Sequence, residues 1–306
     1  MSHRPSRVEL TRRARAAGLA FSLAVTCGAM LPAPAMAAGA GPRVVYGADN
    51  RQEVYELNAA RKKVAASTVA MVTGDPSLAG KPVSLPLLPD LQTENRLCDG
   101  QRYAKQPVPA FCSGALVAAD VVLTAGHCVK APGNDDGVPL NRMLFLFGFD
   151  MLNAGQVQIG FPGKDVYAAR SLVKRVQNDN VDYALIRLDR KVTGRPTLKI
   201  APKEQLFVGK QLFVVGHPSG LPTKLADHAS INQVRSTTFR SNLDTFEGNS
   251  GSPIFSARSN AIVGVLDGGK KDYVWQGKCR VVNALPNGKG REVATRASAL
   301  DLSGLK

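Results

Sequence analysis

Three short segments of the chain each present one residue suited to nucleophilic hydrolysis. The segments TAGHC, DYALI and GNSGSP supply, in that order, His127, Asp182 and Ser250. Hydrolysis by a serine requires a base beside the hydroxyl group and a carboxylate that orients the base. Each segment alone is a weak signal, because a lone histidine, an aspartate at the head of a strand or a Gly-x-Ser-Gly turn usually has a structural role. Together they predict a catalytic triad.

Glycines surround the candidate nucleophile. Gly248 and Gly251 allow the tight backbone that points consecutive amide groups at one spot. The N–H groups of Gly248 and Ser250 are therefore predicted to form an oxyanion hole. Loss of one such donor typically costs about 2.7–4 kcal/mol of transition-state stabilisation.

The order of the three residues resembles that of the serine peptidases with the chymotrypsin fold, where histidine precedes aspartate and aspartate precedes serine. Residues 46–51, 111–128, 216–222 and 248–253 are similar to bacterial trypsin-like peptidases of the glutamyl-endopeptidase-like branch. The resemblance spans about residues 44–300. It implies an all-β fold of two six-stranded antiparallel β-barrels with the active site between them. It also implies serine endopeptidase activity without a cofactor.

The resemblance determines substrate preference less well. Glutamyl endopeptidases bind a substrate carboxylate with a histidine, and the resemblance puts Leu266 at or near the position of that histidine. A preference for glutamate is therefore not expected. Asp244, six residues before the serine, is either the base of a pocket for substrate Arg or Lys, as in trypsin-like enzymes, or a structural turn residue. We take the pocket role as the expectation, with Thr245 beside it. Gly268 and Gly269 are then expected to pair with the substrate backbone.

One position departs from the animal digestive branch of the family. Those enzymes have an aspartate where this chain has Asn249, and that aspartate receives a newly freed N-terminal amine. Because an amide carries no charge, the resemblance implies that this activation switch is absent here.

The first 37 residues have the layout of an export signal. Five arginines precede an apolar run over about residues 16–31, and Ala-Met-Ala at 35–37 fits the small-x-small rule of signal peptidase. Cleavage after Ala37 predicts a secreted or periplasmic bacterial protein. It also lowers the net charge from +15 to +11, because the segment holds five arginines and one glutamate.

Four cysteines remain after that cleavage: Cys98, Cys112, Cys128 and Cys279. An even number in an exported chain predicts two disulfides, and the sequence leaves three connectivities open. The resemblance implies a Cys112–Cys128 bond next to the histidine, and with it a Cys98–Cys279 bond.

The rest of the chain consists of many short apolar stretches between turns, which is typical of β-barrels or sandwiches. We expect a leader or N-terminal arm at residues 38–63 and a barrel carrying the histidine and aspartate at 64–194. A barrel carrying the serine is expected at 195–306. The spacing of apolar residues over 294–302 predicts a short C-terminal helix.

Partners other than peptides are not expected. The basic residues are scattered and not interleaved with aromatic residues, which disfavours nucleic acid. The apolar run near the N-terminus is too quickly broken by proline to predict a stable membrane span. We expect protein or peptide substrates and a monomer. His217 and His228 lack the ligand spacing of a metal site, and residues 134–137 (NDDG) are better explained as a turn than as a calcium loop.

Two other function classes fit parts of this sequence. One is a non-catalytic binding or adhesion protein that uses its basic surface on a peptidase scaffold. The other is a serine esterase without useful peptidase activity. The first predicts no labelling by a serine-directed fluorophosphonate, and the second predicts turnover of activated esters but not of peptides.

Overall fold

The computed structural model describes residues 43–131, 137–269 and 271–305. The predicted signal peptide and most of the NDDG segment lie outside the described residues. In chain order the strands are β1 Arg43–Tyr46, β2 Arg51–Glu53, β3 Thr68–Thr73, β4 Val83–Ser84, β5 Ala110–Ala118, β6 Val121–Thr124, β7 Met143–Phe147, β8 Met151–Asn153, β9 Gln156–Val157, β10 Gly160–Phe161, β11 Val166–Asn178, β12 Val181–Leu188, β13 Gln211–Gly216, β14 Lys224–Val234, β15 Thr238–Ser241, β16 Pro253–Ser256, β17 Ile262–Gly268, β18 Tyr273–Gln276, β19 Cys279–Val282, β20 Ala284–Leu285 and β21 Glu292–Arg296.

Helices in the described residues are few and short. Two of them are α-helices, α1 Ala59–Ala65 and α2 Leu91–Asn95. The remaining helical segments are single 3₁₀ turns at Val54–Glu56, Pro76–Leu78, Gly126–Cys128, Leu140–Arg142, Gly163–Asp165, Pro218–Gly220, Asn287–Lys289, Ala297–Ala299 and Ser303–Leu305. Within the described ranges, no helix is long and apolar enough to cross a membrane.

The first barrel closes in the order β11-β12-β6-β5-β3-β7, and every pair in it is antiparallel. Successive side chains of each strand point alternately into and out of the barrel, so side chains from all six strands meet inside. The core that they form includes Val69, Leu116, Val122, Phe145 and Ile186, all buried.

The second barrel is formed by β13, β16, β17, β21, β15 and β14, and β14 pairs back to β13 to close it. Strand β2 adds to the edge of β14, with Glu53 opposite Lys224. Leu212, Ile231, Phe239 and Ile254 fill this barrel. Two six-stranded antiparallel barrels confirm the predicted all-β, chymotrypsin-like fold class.

The predicted C-terminal helix is wrong. Residues 292–296 form strand β21, which pairs with β15 on one side and β17 on the other, and only Ala297–Ala299 makes a helical turn. Ala294 and Thr295 are fully buried in this strand. Hydrogen bonding to a strand on each side in the closed barrel outweighs the helix propensity of Ala294.

The segment before the first barrel also differs from expectation. Residues 59–65 form α1, which Asn58 caps by accepting a hydrogen bond from the Arg61 N–H, and β3 starts only at Thr68. Val64 packs against Phe213 and Phe255 of the second barrel. The N-terminal segment therefore packs against the serine-carrying half through both β2 and α1.

Two disulfides join described residues. Cys112–Cys128 joins β5 to the 3₁₀ turn at Gly126–Cys128, with 6.2 Å between the Cα atoms. Cys98–Cys279 joins the loop after α2 to β19, with 5.0 Å between the Cα atoms. These are the pairings that the family resemblance implies.

Candidate active site

His127 lies in the 3₁₀ turn that directly follows β6 and Ala125. The turn packs tightly against β12, because a Cβ at Gly126 would lie 2.6 Å from Asp182 Oδ1. A glycine is therefore needed for the histidine backbone to approach the carboxylate this closely. The side chain of His127 is 30% exposed.

Asp182 is the second residue of β12 and binds His127 at two points. Its Oδ1 accepts the backbone N–H of His127 at 3.0 Å, and its Oδ2 lies 2.5 Å from His127 Nδ1. Since an ionised carboxylate only accepts, Nδ1 carries the hydrogen, and in the neutral ring Nε2 is left as the acceptor. The pair therefore holds the imidazole in the tautomer that a general base requires.

Ser250 lies in the loop between β15 and β16. Hydrogen bonds from strand β5 of the other barrel fix this loop. The Ser113 N–H donates to Ser250 O at 2.8 Å, and the Ser113 hydroxyl donates to Gly248 O at 2.8 Å. Gly251 has φ +82°, and a Cβ there would overlap Ser113 O and lie 2.7 Å from Ala125 N. The loop can approach the histidine turn this closely only because residue 251 is glycine.

The three predicted triad residues border one cleft between the barrels, with a volume of about 1060 Å³. His127, Asp182 and Ser250 all line it, so the structure brings them together. Within the described part of the chain, the Ser250 hydroxyl makes no hydrogen bond. The histidine–aspartate contact is thus formed, while no hydrogen bond joins the described Ser250 and His127 side chains.

Comparison with known proteins agrees with this geometry. The model of the trypsin-like peptidase domain matches residues 112–265, from the cysteine at β5 to strand β17. The chain belongs to the trypsin-like peptidase family.

Individual relatives of this peptidase domain are distant. A trypsin-like protease of Streptomyces glaucescens is 30% identical over 151 residues, which cover 47% of this chain and 49% of that protein. The chain thus spans about half the length of the curated relative that it matches. A Glu endopeptidase in complex with MPD has a TM-score of 0.51 at 17% identity, covering 83% of this chain and 94% of its own. The VesB protease of Vibrio cholerae has a TM-score of 0.49 at 18% identity, covering 82% and 64%.

Two backbone amides of the serine loop have no hydrogen-bond acceptor among the described residues. Within the described residues, the N–H groups of Gly248 and Ser250 have no acceptor, while that of Asn249 donates to Phe246 O at 2.9 Å. Gly248 has φ +85°, and a Cβ there would lie 2.7 Å from both Gly220 N and His217 O. Gly248 and Ser250, the predicted oxyanion-hole residues, therefore have unpaired N–H donors. The backbone at Gly248 is one that only glycine adopts without strain.

A second cavity of about 500 Å³ adjoins Ser250. Three of the four predicted substrate-binding residues line it, namely Thr245, Gly268 and Gly269. Its far wall is the β18–β19 hairpin, which carries Trp275, 55% exposed, and which the Cys98–Cys279 bond holds in place. Leu266 also lines the cavity, so no histidine stands there for a substrate carboxylate.

Asp244 does not line this cavity, which corrects the expected pocket role. Its carboxylate accepts the N–H groups of Tyr46 at 2.8 Å and Asn50 at 3.1 Å, and the residue is 1% exposed. Burial raises its pKa to about 6. The carboxylate turns to the N-terminal segment, where these two backbone N–H groups need an acceptor.

A carboxylate that does line the cavity belongs to Glu292, which the sequence analysis missed. Its Oε1 accepts the Tyr46 hydroxyl at 2.8 Å and its Oε2 accepts the Thr245 hydroxyl. A Cβ at Gly269 would overlap this carboxylate, so that glycine makes room for Glu292. The expectation of a helix over 294–302 hid the strand that brings Glu292 to the cavity.

The two remaining histidines of the described chain do not reach the triad. His217 is fully buried, stacks on Phe149 at 5.9 Å between ring centroids, and donates from Nδ1 to Leu221 O at 3.0 Å. Its burial lowers its pKa to about 4. His228 is exposed, and its Nε2 lies 3.2 Å from Asp227 Oδ1. The backbone N–H of His217 donates to Ser113 Oγ at 2.9 Å, and the Ser113 hydroxyl in turn donates to Gly248 O. His217 therefore supports the serine loop through Ser113.

The buried His217 predicts a specific pH dependence of stability. Its folded pKa of about 4 lies below the ordinary 6.5, so the unfolded chain takes up the proton first as pH falls. The stabilisation from the neutral ring is therefore complete above pH 6.5 and is lost as pH falls towards 4. His217→Gln should lower the free energy of unfolding at pH 7.5 by about 1–3 kcal/mol.

Urea unfolding at a series of pH values tests this. The difference between the original protein and His217→Gln should shrink as pH falls from 6.5 to 4. His228→Gln, at an exposed position, is the matched control and should change neither the stability nor its pH dependence. A His217→Gln difference that stays constant across this range would contradict the neutral buried ring.

Proposed function

We propose that this protein is an exported serine endopeptidase that cleaves peptide bonds through an acyl-enzyme on Ser250. The observation that carries the proposal is the two-point contact of Asp182 with His127, beside a cleft that Ser250 also lines. Membership of the trypsin-like peptidase family supports a proteolytic role. The whole protein's activity and substrates are inferred here from the site.

Each residue has one role in the proposed reaction. His127 Nε2 takes the proton of Ser250 Oγ as this oxygen bonds to the substrate carbonyl carbon. The C–N bond breaks, and His127 gives that proton to the leaving amine. Water then attacks the acyl-enzyme by the same route and releases the acid. Asp182 stays ionised, holds the ring through Nδ1, and stabilises the imidazolium that forms twice.

The free amides of Gly248 and Ser250 are proposed as the oxyanion hole. A donor that is already aimed at the developing negative charge needs no reorganisation during the reaction. The φ values of Gly248 and Gly251 and the two Ser113 hydrogen bonds hold the loop in this conformation. Rigidity of this loop is therefore part of catalysis.

We further propose that the enzyme prefers Arg or Lys before the scissile bond, and that Glu292 recognises this residue in place of Asp244. Glu292 borders the 500 Å³ cavity next to Ser250, with Glu247 and Asp272 as further acids in its lining. Leu266 offers nothing for a substrate carboxylate. The backbone at Gly268, beyond the β16–β17 pairing, is proposed to bind substrate as an added strand.

Export is proposed from the N-terminal sequence and is supported by the disulfides. All four cysteines of the described chain are paired. Disulfides persist in oxidising compartments and are rare in the cytosol. We propose a secreted or periplasmic protein that starts at Ala38.

The first prediction concerns the triad. Purified protein should be labelled by a fluorophosphonate at Ser250 and should cleave fluorogenic peptides, and Ser250→Ala should lower kcat by about 10⁵-fold or more. Ser252→Ala, at a buried serine two residues further along, is the control and should retain labelling. Ester turnover without peptide cleavage would favour the esterase, and no labelling at all would favour the binding protein.

A second prediction concerns Glu292. In a peptide panel varying only the residue before the scissile bond, Glu292→Gln should lower kcat/KM for Arg and Lys peptides by about 100-fold. Peptides with Ala at that position should be almost unaffected. Asp244→Asn is the control, since it should lower stability but keep the Arg-to-Ala ratio. Preferred cleavage after Glu would contradict this role of Glu292.

A third prediction concerns export. N-terminal sequencing of the protein from the medium and periplasm of a bacterial host should begin at Ala38. The Ser250→Ala variant should begin at the same residue, because signal peptidase and not self-cleavage makes that cut. Cytoplasmic protein that keeps residues 1–37 would contradict export.

A further inference from the structure

A second carboxylate borders the cleft beside the histidine–aspartate pair. Asp267 lies near the end of β17 and lines the cleft together with His127, Asp182 and Ser250. The proposed triad mechanism assigns it no role. Two carboxylates on neighbouring strands beside one base raise the question of which of them is charged.

Asp267 is tied to Asp182 through Thr295 of β21. The Thr295 N–H and hydroxyl lie 3.1 and 3.0 Å from Asp267 Oδ1, and the hydroxyl lies 3.1 Å from Oδ2. The same hydroxyl oxygen accepts the backbone N–H of Asp182 at 2.9 Å. The hydroxyl also lies 3.3 Å from Asp182 O, so the Asp267 oxygens are the nearer of the two acceptors for its one proton.

The surroundings of Asp267 disfavour a negative charge. In the described chain no lysine or arginine forms an ion pair with it. On neighbouring elements, the Arg175 guanidinium binds Gly126 O and Val129 O, and that of Arg296 binds Arg235 O and Ser236 O. The other titratable groups around the cleft and on β21 are His127, Asp179, Asp182, Glu247 and Glu292. Burial and the charge of Asp182 together raise the pKa of Asp267 well above its ordinary value.

Asp182 has an unused capacity to accept. Among the described residues its carboxylate receives only the backbone N–H and Nδ1 of His127. No hydroxyl or amide side chain donates to it. A carboxylate oxygen has a second lone pair, so a further donor nearby would fix the carboxylate more firmly.

We propose that Asp267 is a positioning residue for the His127–Asp182 pair, acting as a neutral carboxylic acid that donates its proton towards the Asp182 carboxylate. This role rests on the proposed peptidase function. Its neutral form also keeps a second negative charge away from the base. Asp182 and Asp267 then share one negative charge and one proton, and Thr295 fixes the distance between their strands.

The first test does not depend on activity. Infrared difference spectra at pH 7 between the original protein and Asp267→Asn should contain the C=O band of a protonated carboxyl group that the variant lacks. Other buried acids, such as Asp272, are present in both proteins and cancel. Loss of an ionised carboxylate band in its place would overturn the proposal, even if no peptide were cleaved.

The second test uses the peptidase reaction. Asp267→Asn keeps a neutral donor, so it should retain kcat within about threefold, and the acid limb of its pH profile should move by less than about 0.3 pH unit. Asp267→Ala removes the donor and should lower kcat about tenfold with little change in KM, which is the size of one hydrogen bond to a charged group. Active-site titration with the fluorophosphonate corrects for unfolded protein.

The outcomes separate the two proposals. Equal losses in Asp267→Asn and Asp267→Ala, or an Asn profile shifted to lower pH, would mean that Asp267 works as an anion and would overturn its role as a neutral donor. Full activity of Asp267→Ala would also overturn it. A wild-type protein that is not labelled at Ser250 would instead refute the peptidase function, and the infrared band would still decide the state of Asp267.

Discussion

The active site depends on the hydrogen bonds that Ser113 makes between the two barrels. Its N–H and hydroxyl donate to Ser250 O and Gly248 O, and its hydroxyl also accepts the His217 N–H. Its own carbonyl accepts the Thr124 hydroxyl at 2.7 Å, which ties it to the strand before the histidine. One buried serine thus sets the serine loop relative to the histidine turn. The Cys112–Cys128 bond, beginning one residue earlier, constrains the same junction.

The N-terminal segment contributes to the substrate side of the site. Tyr46 donates its backbone N–H to Asp244 and its hydroxyl to Glu292, so one residue spans the loop before the serine and the wall of the cavity. Burial and the nearby charge of Glu292 raise the pKa of Tyr46, which keeps the hydroxyl a donor. At Asn249, where a charged switch would stand, the uncharged side chain accepts from the Ser252 hydroxyl at 3.2 Å. In the animal enzymes an aspartate at that position binds the freed N-terminal amine. Here Asp244 instead binds the N-terminal segment, through the backbone N–H groups of Tyr46 and Asn50.

Local motifs explain how much of the site could be predicted. His127, Asp182 and Ser250 each lie in a short segment whose glycines and flanking strand are visible in the sequence, and the fold class followed from the family resemblance that they carry. Asp244 and Glu292 could not be assigned this way. Their roles depend on which amides or hydroxyls lie opposite, and those come from residues 47 to 246 positions away. The spacing of apolar residues over 294–302 suggested a helix, and only barrel closure makes the first part of that segment, in β21, a strand.

The site also shows why the net charge of the chain says little about the substrate. The protein carries +15 overall, yet the lining of the cavity beside Ser250 includes the acids Glu247, Asp272 and Glu292 as well as Lys271 and Arg280. Burial raises the pKa of Asp272 to about 7, so this acid gains charge as pH rises through neutrality. Within a Debye length of about 8 Å at physiological salt, nearby groups outweigh distant surface lysines and arginines. In the proposed recognition of Arg or Lys, the affinity of the cavity would therefore be set by a few local carboxylates and their protonation, whatever the sign of the surface that surrounds them.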